Sequence, residues 1–371
     1  MADSNGKIII PAPTGPFAVG YSTLKLRDEA RTDPYDGAQG KRHVTISLFY
    51  PVERSACQQT ALVAYMPPMT TAVMDAGLAQ YGLPETFKSI RMQVCSEASP
   101  GAYADVHKFP LVLFTPGLTF PRHQYNAMAM DLAGAGFAVA TMDHDHETVI
   151  VEHPSGTFTE GRALTYWDPQ NRERHEALLA TRVQDVQFVL TQLGELSVVQ
   201  RLVPLASGPF NTEKAAVFGH SFGGATAVSA VMQDGRFVGA LNMDGSQYGP
   251  LSDTHAAVLL LGRGEPNPRN RSNNPTWEPV WQHLKGWRKE VNLKESEHTT
   301  FCDTPLLVKL SGMPMNRVLR KMVGTLEGER AFEVVMQVVK GFMGLVLKGE
   351  EGGSMLVGVD GKVPELEFGE E

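Results

Sequence analysis

The fold is indicated most clearly by residues 215–227, Ala215-Ala216-Val217-Phe218-Gly219-His220-Ser221-Phe222-Gly223-Gly224-Ala225-Thr226-Ala227. Its apolar beginning predicts a buried strand, its small-residue end predicts a helix, and a Gly-x-Ser-x-Gly pattern lies between them. A serine at such a sharp turn needs neighbouring glycines because the strand and the helix come close together. Its hydroxyl then lies at a helix N-terminus, where N–H groups favour a developing negative charge. Ser221 is therefore the candidate nucleophile, and His220 is expected to be a packing residue.

Short apolar runs on both sides of this stretch alternate with helical periodicity, which is the pattern of parallel strands joined by crossover helices. The predicted strands are Leu111–Thr115, Phe137–Met142, Ala215–Phe218, Val238–Met243, Ala257–Leu261 and Glu290–Leu293. The predicted helices cover about 123–133, 174–193, 224–232, 276–288, 305–319 and 328–347. Upstream, 20–27 and 43–50 predict an antiparallel hairpin. Residues 52–108 are expected to form an irregular, extended arm because Pro67 and Pro68 prevent regular pairing.

Three histidines follow the candidate nucleophile. A serine hydroxyl becomes a strong nucleophile only when a histidine takes its proton and a carboxylate orients that histidine. At a strand-to-helix turn of this kind, the acid and then the histidine come later in the chain. His255 stands at the start of an apolar strand and His283 lies inside a predicted helix. His298 lies in a polar loop after the last strand, where it can reach the turn, and we select it as the base.

Two acidic residues stand at strand ends after Ser221. Asp244 ends the strand 238–243 and precedes a glycine, and Glu265 follows the next strand. Open α/β sheets carry ligands and catalysis at the carboxyl edge of their strands. We favour Asp244 as the acid and keep Glu265 as the alternative.

An oxyanion site requires two backbone N–H groups near the nucleophile. One is expected from Phe222, the residue after Ser221, and the other from Leu118 in the loop after the first parallel strand. Gly117 lets this loop bend close to the nucleophile, although a simple strand-exit turn is the alternative. Together these features predict an α/β-hydrolase fold with a mostly parallel central sheet, an antiparallel N-terminal hairpin and flanking helices.

The chain divides into three predicted parts. We expect a catalytic domain over 10–305, with a Trp-rich helical insertion at 263–289. A helical extension follows at 306–348, and the apolar face of its last helix suits a buried cap or a homodimer contact. Residues 349–371 begin with a Gly- and Glu-rich run and are expected to form a flexible tail.

Composition narrows the function further. The 371 residues include 33 Lys and Arg against 41 Asp and Glu, a net charge of −8, and no basic block, so nucleic acid is not an expected partner. No stretch suits a transmembrane span or a signal peptide, and the cytoplasm is the expected location by default. The widely spaced Cys57, Cys95 and Cys302 are expected to be reduced, mostly buried thiols.

The sequence Asp143-His144-Asp145-His146 contains four residues of types that can bind a metal. Immediate neighbours on a strand end point to opposite faces, so these four side chains do not converge on one ion. Neither a metal nor another cofactor is expected.

Several segments together resemble the platelet-activating-factor acetylhydrolase-like esterases, over roughly residues 10–305. The similar segments are Gly15–Gly20, Tyr65–Pro68, Pro110–Leu118, Tyr125–Asp143, Gly219–Gly224 and Leu241–Gly245. Pro116 differs, because this family usually has a histidine before the Gly-Leu pair. The resemblance implies Ser221, Asp244 and His298 as the catalytic residues and Leu118 and Phe222 as the oxyanion donors. It also implies a calcium-independent hydrolase that releases short or oxidised acyl groups from lipid-like esters.

Three functions are therefore compared. The first is hydrolysis of a lipid-like or small-molecule ester through an acyl-enzyme. The second is a biosynthetic tailoring enzyme that uses the same residues for acyl transfer, lactonisation or C–C bond chemistry, suggested by Pro116 and the apolar C-terminal helices. The third is a ligand-binding relative without catalysis.

Overall fold

The computed structural model describes residues 6–162, 171–350 and 363–369. The strands in these ranges are β1 (Ile8–Ile9), β2 (Phe17–Thr32), β3 (Lys41–Glu53), β4 (Cys57–Ala64), β5 (Ile90–Ala98), β6 (Leu111–Thr115), β7 (Ala138–His144), β8 (Ile150–Glu152), β9 (Phe158–Glu160), β10 (Ala215–His220), β11 (Phe237–Met243), β12 (Ala257–Arg263), β13 (Arg288–Leu293) and β14 (Leu366–Phe368). The helices are α1 (Pro68–Gln80), α2 (Pro100–Ala104), α3 (Asn126–Gly134), α4 (Arg172–Leu193), α5 (Leu196–Leu202), α6 (Phe222–Gln233), α7 (Trp277–His283), α8 (Thr304–Leu310), α9 (Arg317–Val323) and α10 (Gly328–Met343). None of these helices is long and apolar enough to cross a membrane.

The central sheet has nine strands in the order β14-β13-β12-β11-β10-β6-β7-β3-β2 among the described residues. The six strands from β13 to β7 are parallel to one another, and the β2–β3 hairpin joins them antiparallel through β7. The predicted hairpin and the six predicted parallel strands are therefore confirmed. All six parallel strands point their carboxyl ends to the same edge of the sheet.

Alternating side chains place the parallel strands between two helical layers. In β6, Val112 and Phe114 pack into one hydrophobic core with α3, α8 and α10, whereas Leu111 and Leu113 pack into a second core with α4, α5, α6 and α7. Because successive side chains of a strand point to opposite faces, a fully buried strand reads as a continuous apolar run. This explains why these strands could be recognised from sequence.

Residues 52–108 are more regular than predicted. Strands β1, β5 and β4 form a separate small sheet, and α1 begins directly after Pro67. Proline at the first helical position loses no intrahelical hydrogen bond, so these prolines start a helix here. The prediction of an irregular arm is therefore wrong.

A disulfide joins Cys57 of β4 to Cys95 of β5, with 5.9 Å between the two Cα atoms. The prediction of reduced thiols is wrong for this pair because antiparallel pairing brings together two cysteines that are 38 residues apart. Cys302 is a buried free thiol, as predicted.

The tryptophan-rich helix is shorter than predicted. Helix α7 ends at His283, and Trp277 and Trp281 are buried in the second hydrophobic core. Trp287 lies beyond the helix and packs against Phe342, with 5.8 Å between ring centroids. The chain leaves the helix at Leu284, whose backbone is extended.

The C-terminal helices complete the main fold. Residues of α10 from Ala331 to Met343 belong to the same core as α3 and the central sheet. The apolar face of α10 therefore packs against other residues of this chain, as expected for a buried cap. Strand β14 pairs antiparallel with β13, so the prediction of a flexible tail is wrong for Leu366–Phe368. Residues 351–362 of that predicted tail lie outside the described residues.

Candidate active site

Ser221 lies at the turn between β10 and α6, with a left-handed φ of 56° and a ψ of −123°. Two glycines make this turn sterically possible. A Cβ on Gly219 would lie 2.3 Å from the carbonyl oxygen of Gly223, and a Cβ on Gly223 would lie 2.0 Å from that of Thr115. Only residues without side chains allow such close backbone approach, and this is the strained serine turn that the sequence predicts.

The three predicted site residues converge at the carboxyl edge of the sheet. The Nε2 atom of His298 is 2.9 Å from Ser221 Oγ, and its Nδ1 atom is 2.5 Å from Asp244 Oδ2. Asp244 follows β11. His298 is the first residue of a short helical turn after β13, and a capping box between Glu297 and Thr300 caps the N-terminus of this turn. Hydroxyl, imidazole and carboxylate therefore form one continuous hydrogen-bonded series.

The alternative residues lie elsewhere. Glu265 is exposed and its backbone carbonyl accepts a hydrogen bond from the N–H of Glu295. His283 Nδ1 lies 2.8 Å from Asp253 Oδ1 at the surface, and His255 is exposed. None of the three is a hydrogen-bonding partner of Ser221 in the structure.

Two arginines that the sequence analysis did not select flank Asp244. Arg269 Nε is 2.9 Å from Asp244 Oδ1, and Arg263 Nη1 is 3.5 Å from Oδ2. Burial alone would raise the pKa of Asp244, but the hydrogen bond with His298 and the charges of both arginines lower it. The carboxylate is therefore ionised at neutral pH and can stabilise a positively charged imidazole. Strand-end loops rich in arginine, such as 263–271, are the only signal in the sequence for this arrangement.

The loop after β6 approaches Ser221 closely. A methyl group on Gly117 would lie 3.4 Å from Ser221 Cβ. Leu118 and Phe222 belong to a small apolar cluster with Leu178, Leu179, Val183, Ala225, Tyr35 and Tyr248. The two residues chosen as oxyanion donors thus lie beside the same serine, one on the β6 loop and one as the first residue of α6.

A buried ionic network supports this loop from below, and sequence reasoning missed it. Arg182 donates from Nη1 to the carbonyl oxygen of Pro116 at 2.6 Å and from Nε to Glu147 at 2.6 Å. The same guanidinium lies 5.1 Å from the ring centroid of Phe222. Nearby, the His144 ring lies within 2.9 Å of both the Thr115 hydroxyl and Asp185.

The Asp143–His146 stretch belongs partly to this network. Asp143 pairs with Arg122, and the His146 ring contacts the carbonyl oxygen of Glu160. Its four side chains have different partners, and no group of three or more potential metal ligands occurs in the part of the chain that the structure describes.

The fold and the serine turn define an enzyme of the α/β-hydrolase class. A ferulic acid esterase from Streptomyces cinnamoneus has the same overall fold, with a TM-score of 0.80 and 28% identity, and the alignment covers 98% of this chain and 99% of that one.

Within this class, the sequence model of "Platelet-activating factor acetylhydrolase, isoform II" matches residues 2–344. A "Probable 1-alkyl-2-acetylglycerophosphocholine esterase" of Arthroderma benhamiae is 30% identical, over 97% of this chain and 93% of its own. The platelet-activating factor acetylhydrolase of Cavia porcellus is 25% identical, over 68% of this chain and 62% of its own. The chain belongs to the platelet-activating factor acetylhydrolase family and is an ester hydrolase, which disfavours the alternative of a binding protein without catalysis.

Proposed function

We propose that the chain hydrolyses carboxylic esters through an acyl-enzyme on Ser221. The observation that carries this proposal is the hydrogen-bonded series from Ser221 Oγ through His298 to Asp244. His298 takes the hydroxyl proton while Ser221 attacks the acyl carbon, and it then gives that proton to the departing alcohol. Water, deprotonated by His298, attacks the acyl-enzyme and releases the carboxylic acid. Asp244 stabilises the imidazolium in both steps.

In this proposal, the N–H groups of Leu118 and Phe222 stabilise the negative oxygen of each tetrahedral intermediate. The position of Phe222 as the first residue of α6 supports its role, because N–H groups at a helix N-terminus point out of the helix. The close approach of the β6 loop to Ser221 supports the role of Leu118.

The proposed substrates are lipid-like esters with a short acyl group. Phe222, the residue after the serine, packs in an apolar cluster with Leu118 and Tyr248, and such side chains suit an uncharged acyl chain. The names of the Arthroderma and Cavia relatives point to an acetyl ester of an alkyl glycerophosphocholine, and similarity over most of this chain supports the same ester class here.

Activity assays test this proposal with one matched pair of variants. Ser221→Ala is expected to lower kcat for 2-acetyl glycerophosphocholine lipids and p-nitrophenyl acetate by at least about 10⁴-fold, because the nucleophile is lost. Ser207→Ala, the same change at an exposed serine, should leave kcat unchanged. Turnover by Ser221→Ala at the rate of the unaltered chain would contradict the proposal.

The structural similarity to the ferulic acid esterase favours a second candidate substrate, an ester with an aromatic acyl group. Comparing kcat/KM for methyl ferulate with kcat/KM for the 2-acetyl lipid distinguishes the two. We expect the acetyl lipid to be preferred, and a preference for methyl ferulate would replace the proposed substrate without changing the proposed mechanism.

A further inference from the structure

A buried tyrosine and a buried histidine connect the two loops on either side of Ser221. The backbone N–H of Gly117, in the β6 loop, donates to Tyr125 Oη at 3.2 Å. Tyr125 Oη is 2.8 Å from His220 Nδ1, and His220 Nε2 is 2.8 Å from the backbone carbonyl oxygen of His298. Tyr125 and His220 are both almost completely inaccessible to solvent. The connection therefore runs beneath the nucleophile without exposure to water.

The chemistry of its ends sets the direction of every bond in this series. A backbone N–H can only donate, so the Tyr125 oxygen accepts from Gly117 and its own O–H donates to His220 Nδ1. A backbone carbonyl can only accept, so Nε2 of His220 carries a proton and donates a hydrogen bond to the backbone carbonyl oxygen of His298. One neutral tautomer of His220 satisfies both bonds.

The surroundings keep both side chains in these protonation states. Burial, followed by the positive charge that His298 can carry, lowers the pKa of His220 to about 3. Burial also raises the pKa of Tyr125 well above its ordinary value. The imidazole is therefore neutral and the phenol is protonated near neutral pH.

The sheet itself does not hold these two loops together. Gly117 follows β6 and His298 follows β13, and β10, β11 and β12 lie between those two strands. Hydrogen bonds between neighbouring strands therefore fix each loop only to its own part of the sheet. The Tyr125–His220 series spans this gap.

We propose that Tyr125 and His220 are positioning residues that hold the oxyanion loop and the catalytic histidine at a fixed separation across Ser221. This inference rests on the proposed function, because it assigns the β6 loop to the oxyanion and His298 to proton transfer. Both side chains are buried, so they act by aligning the oxyanion loop and His298, and small misplacements of such groups can reduce rates by up to about a hundredfold.

Tyr125→Phe tests the proposal with the loss of a single hydroxyl. The variant leaves Gly117 N–H and His220 Nδ1 without their partner, so we expect kcat for p-nitrophenyl acetate to fall about tenfold to a hundredfold while KM changes less than about threefold. The preference for an oxo ester over the matching thionoester should also fall, because sulfur accepts hydrogen bonds poorly and the preference reports an intact oxyanion site.

Tyr65→Phe is the matched control. Tyr65 is as buried as Tyr125 and its hydroxyl donates to Asp303 at 2.7 Å, outside the series. This control should lose stability comparably in thermal unfolding while keeping kcat and the oxo-to-thiono preference within about twofold. Equal losses of kcat in Tyr125→Phe and Tyr65→Phe would show that Tyr125 has only a structural role and would contradict the proposal.

Substitution of His220 provides a second test that does not depend on Tyr125→Phe folding. Glutamine can both donate an N–H and accept a hydrogen bond, whereas leucine can do neither. We expect His220→Gln to keep at least about fivefold more kcat than His220→Leu at similar KM. Equal kcat for the two, or an unchanged kcat in folded Tyr125→Phe, would overturn the proposal.

Fluorophosphonate labelling of the unaltered chain separates failure of this inference from failure of the proposed function. If Ser221 of the unaltered chain is labelled and Tyr125→Phe keeps the kcat of the unaltered chain, only the positioning role is overturned. Absence of labelling would overturn the proposed function and this inference with it.

Discussion

The Asp244 carboxylate has three partners: His298 and Arg263 contact Oδ2, and Arg269 contacts Oδ1. Glu297, next to His298 in the chain, accepts a hydrogen bond from Asn267, and the ring of His220, 4.7 Å from that of His298 between centroids, is neutral. Burial opposes ionisation of Asp244, but its hydrogen bond with His298 and the positive charges of the two arginines lower its pKa and keep the carboxylate ionised.

Arg269→Gln is therefore expected to move the acidic limb of the kcat/KM profile to higher pH, because Arg269 is one of the groups that lower the pKa of Asp244. Without this cation the pKa of Asp244 rises, and a protonated carboxyl group cannot stabilise the imidazolium. Arg236→Gln removes the same charge from an arginine paired with Asp234 and should leave the profile in place. A shift toward lower pH in Arg269→Gln would contradict this interpretation of the arginines.

Asp145 offers a test of stability at the level of one residue. Burial raises its pKa to about 7, against a partly opposing effect of Arg42. Because the folded pKa lies above the unfolded value near 4, the folded state binds an extra proton between about pH 4 and pH 7. The free energy of unfolding should therefore fall as the pH rises through this window, and this contribution is fully present only below about pH 4.

Asp145→Asn removes that titration. Urea unfolding should show the variant gaining stability relative to the unaltered chain between pH 4.5 and pH 8, by on the order of 3 kcal/mol. The difference between the two proteins isolates Asp145 from other titrating groups. A constant difference across this range would show that Asp145 titrates as an ordinary carboxyl group.

Among the elements, the buried parallel strands and the N-terminal hairpin could be predicted, whereas the strands of the small sheet could not. Strand β6 spans Leu111–Thr115, as its apolar run predicts. Strand β5 carries the alternating buried residues Ile90, Met92 and Val94, but it was missed because Pro67 and Pro68 led to the prediction of an irregular arm over the whole of 52–108. The disulfide between β4 and β5 was missed for the same reason, since its pairing depends on a sheet that was not predicted.

Reduction of that disulfide should destabilise the small sheet. The bond closes a 38-residue separation, for which the loss of chain entropy in the unfolded state corresponds to about 2–4 kcal/mol. We expect dithiothreitol to lower the Tm of the unaltered chain but not that of Cys57→Ser/Cys95→Ser, which should already unfold at the lower temperature. Equal Tm values for all three conditions would contradict a stabilising bond.

The β6 loop depends on the ionic network beneath it. Arg182→Met should lower both stability and kcat, since it removes the hydrogen-bonded partner of buried Glu147, which keeps only Arg42 at 3.7 Å, and the donor to the Pro116 carbonyl. Adding Glu147→Met should restore much of the unfolding free energy, while kcat stays low because Pro116 still has no donor. Recovery of both quantities together would show that Arg182 acts through stability alone.

For the whole molecule, the sequence indicated which residues would meet but not what holds them there. Ser221, Asp244 and His298 could be chosen because strand order and loop polarity place them at one edge of a parallel sheet. Arg182, Arg269 and Tyr125 could not, since their roles arise from contacts between segments far apart in the chain that leave no local pattern. The C-terminal helices, expected as an extension, instead belong to the core of the same sheet.

In the proposed mechanism, Ser221 becomes covalently acylated during turnover. Mass spectrometry after rapid acid quenching of the reaction with p-nitrophenyl acetate measures this directly. We expect one added acetyl group, mapped to the peptide that contains Ser221, and no such adduct in Ser221→Ala. Rapid turnover with Ser221 unmodified, or an acetyl group on another residue that also persists in Ser221→Ala, would contradict the account.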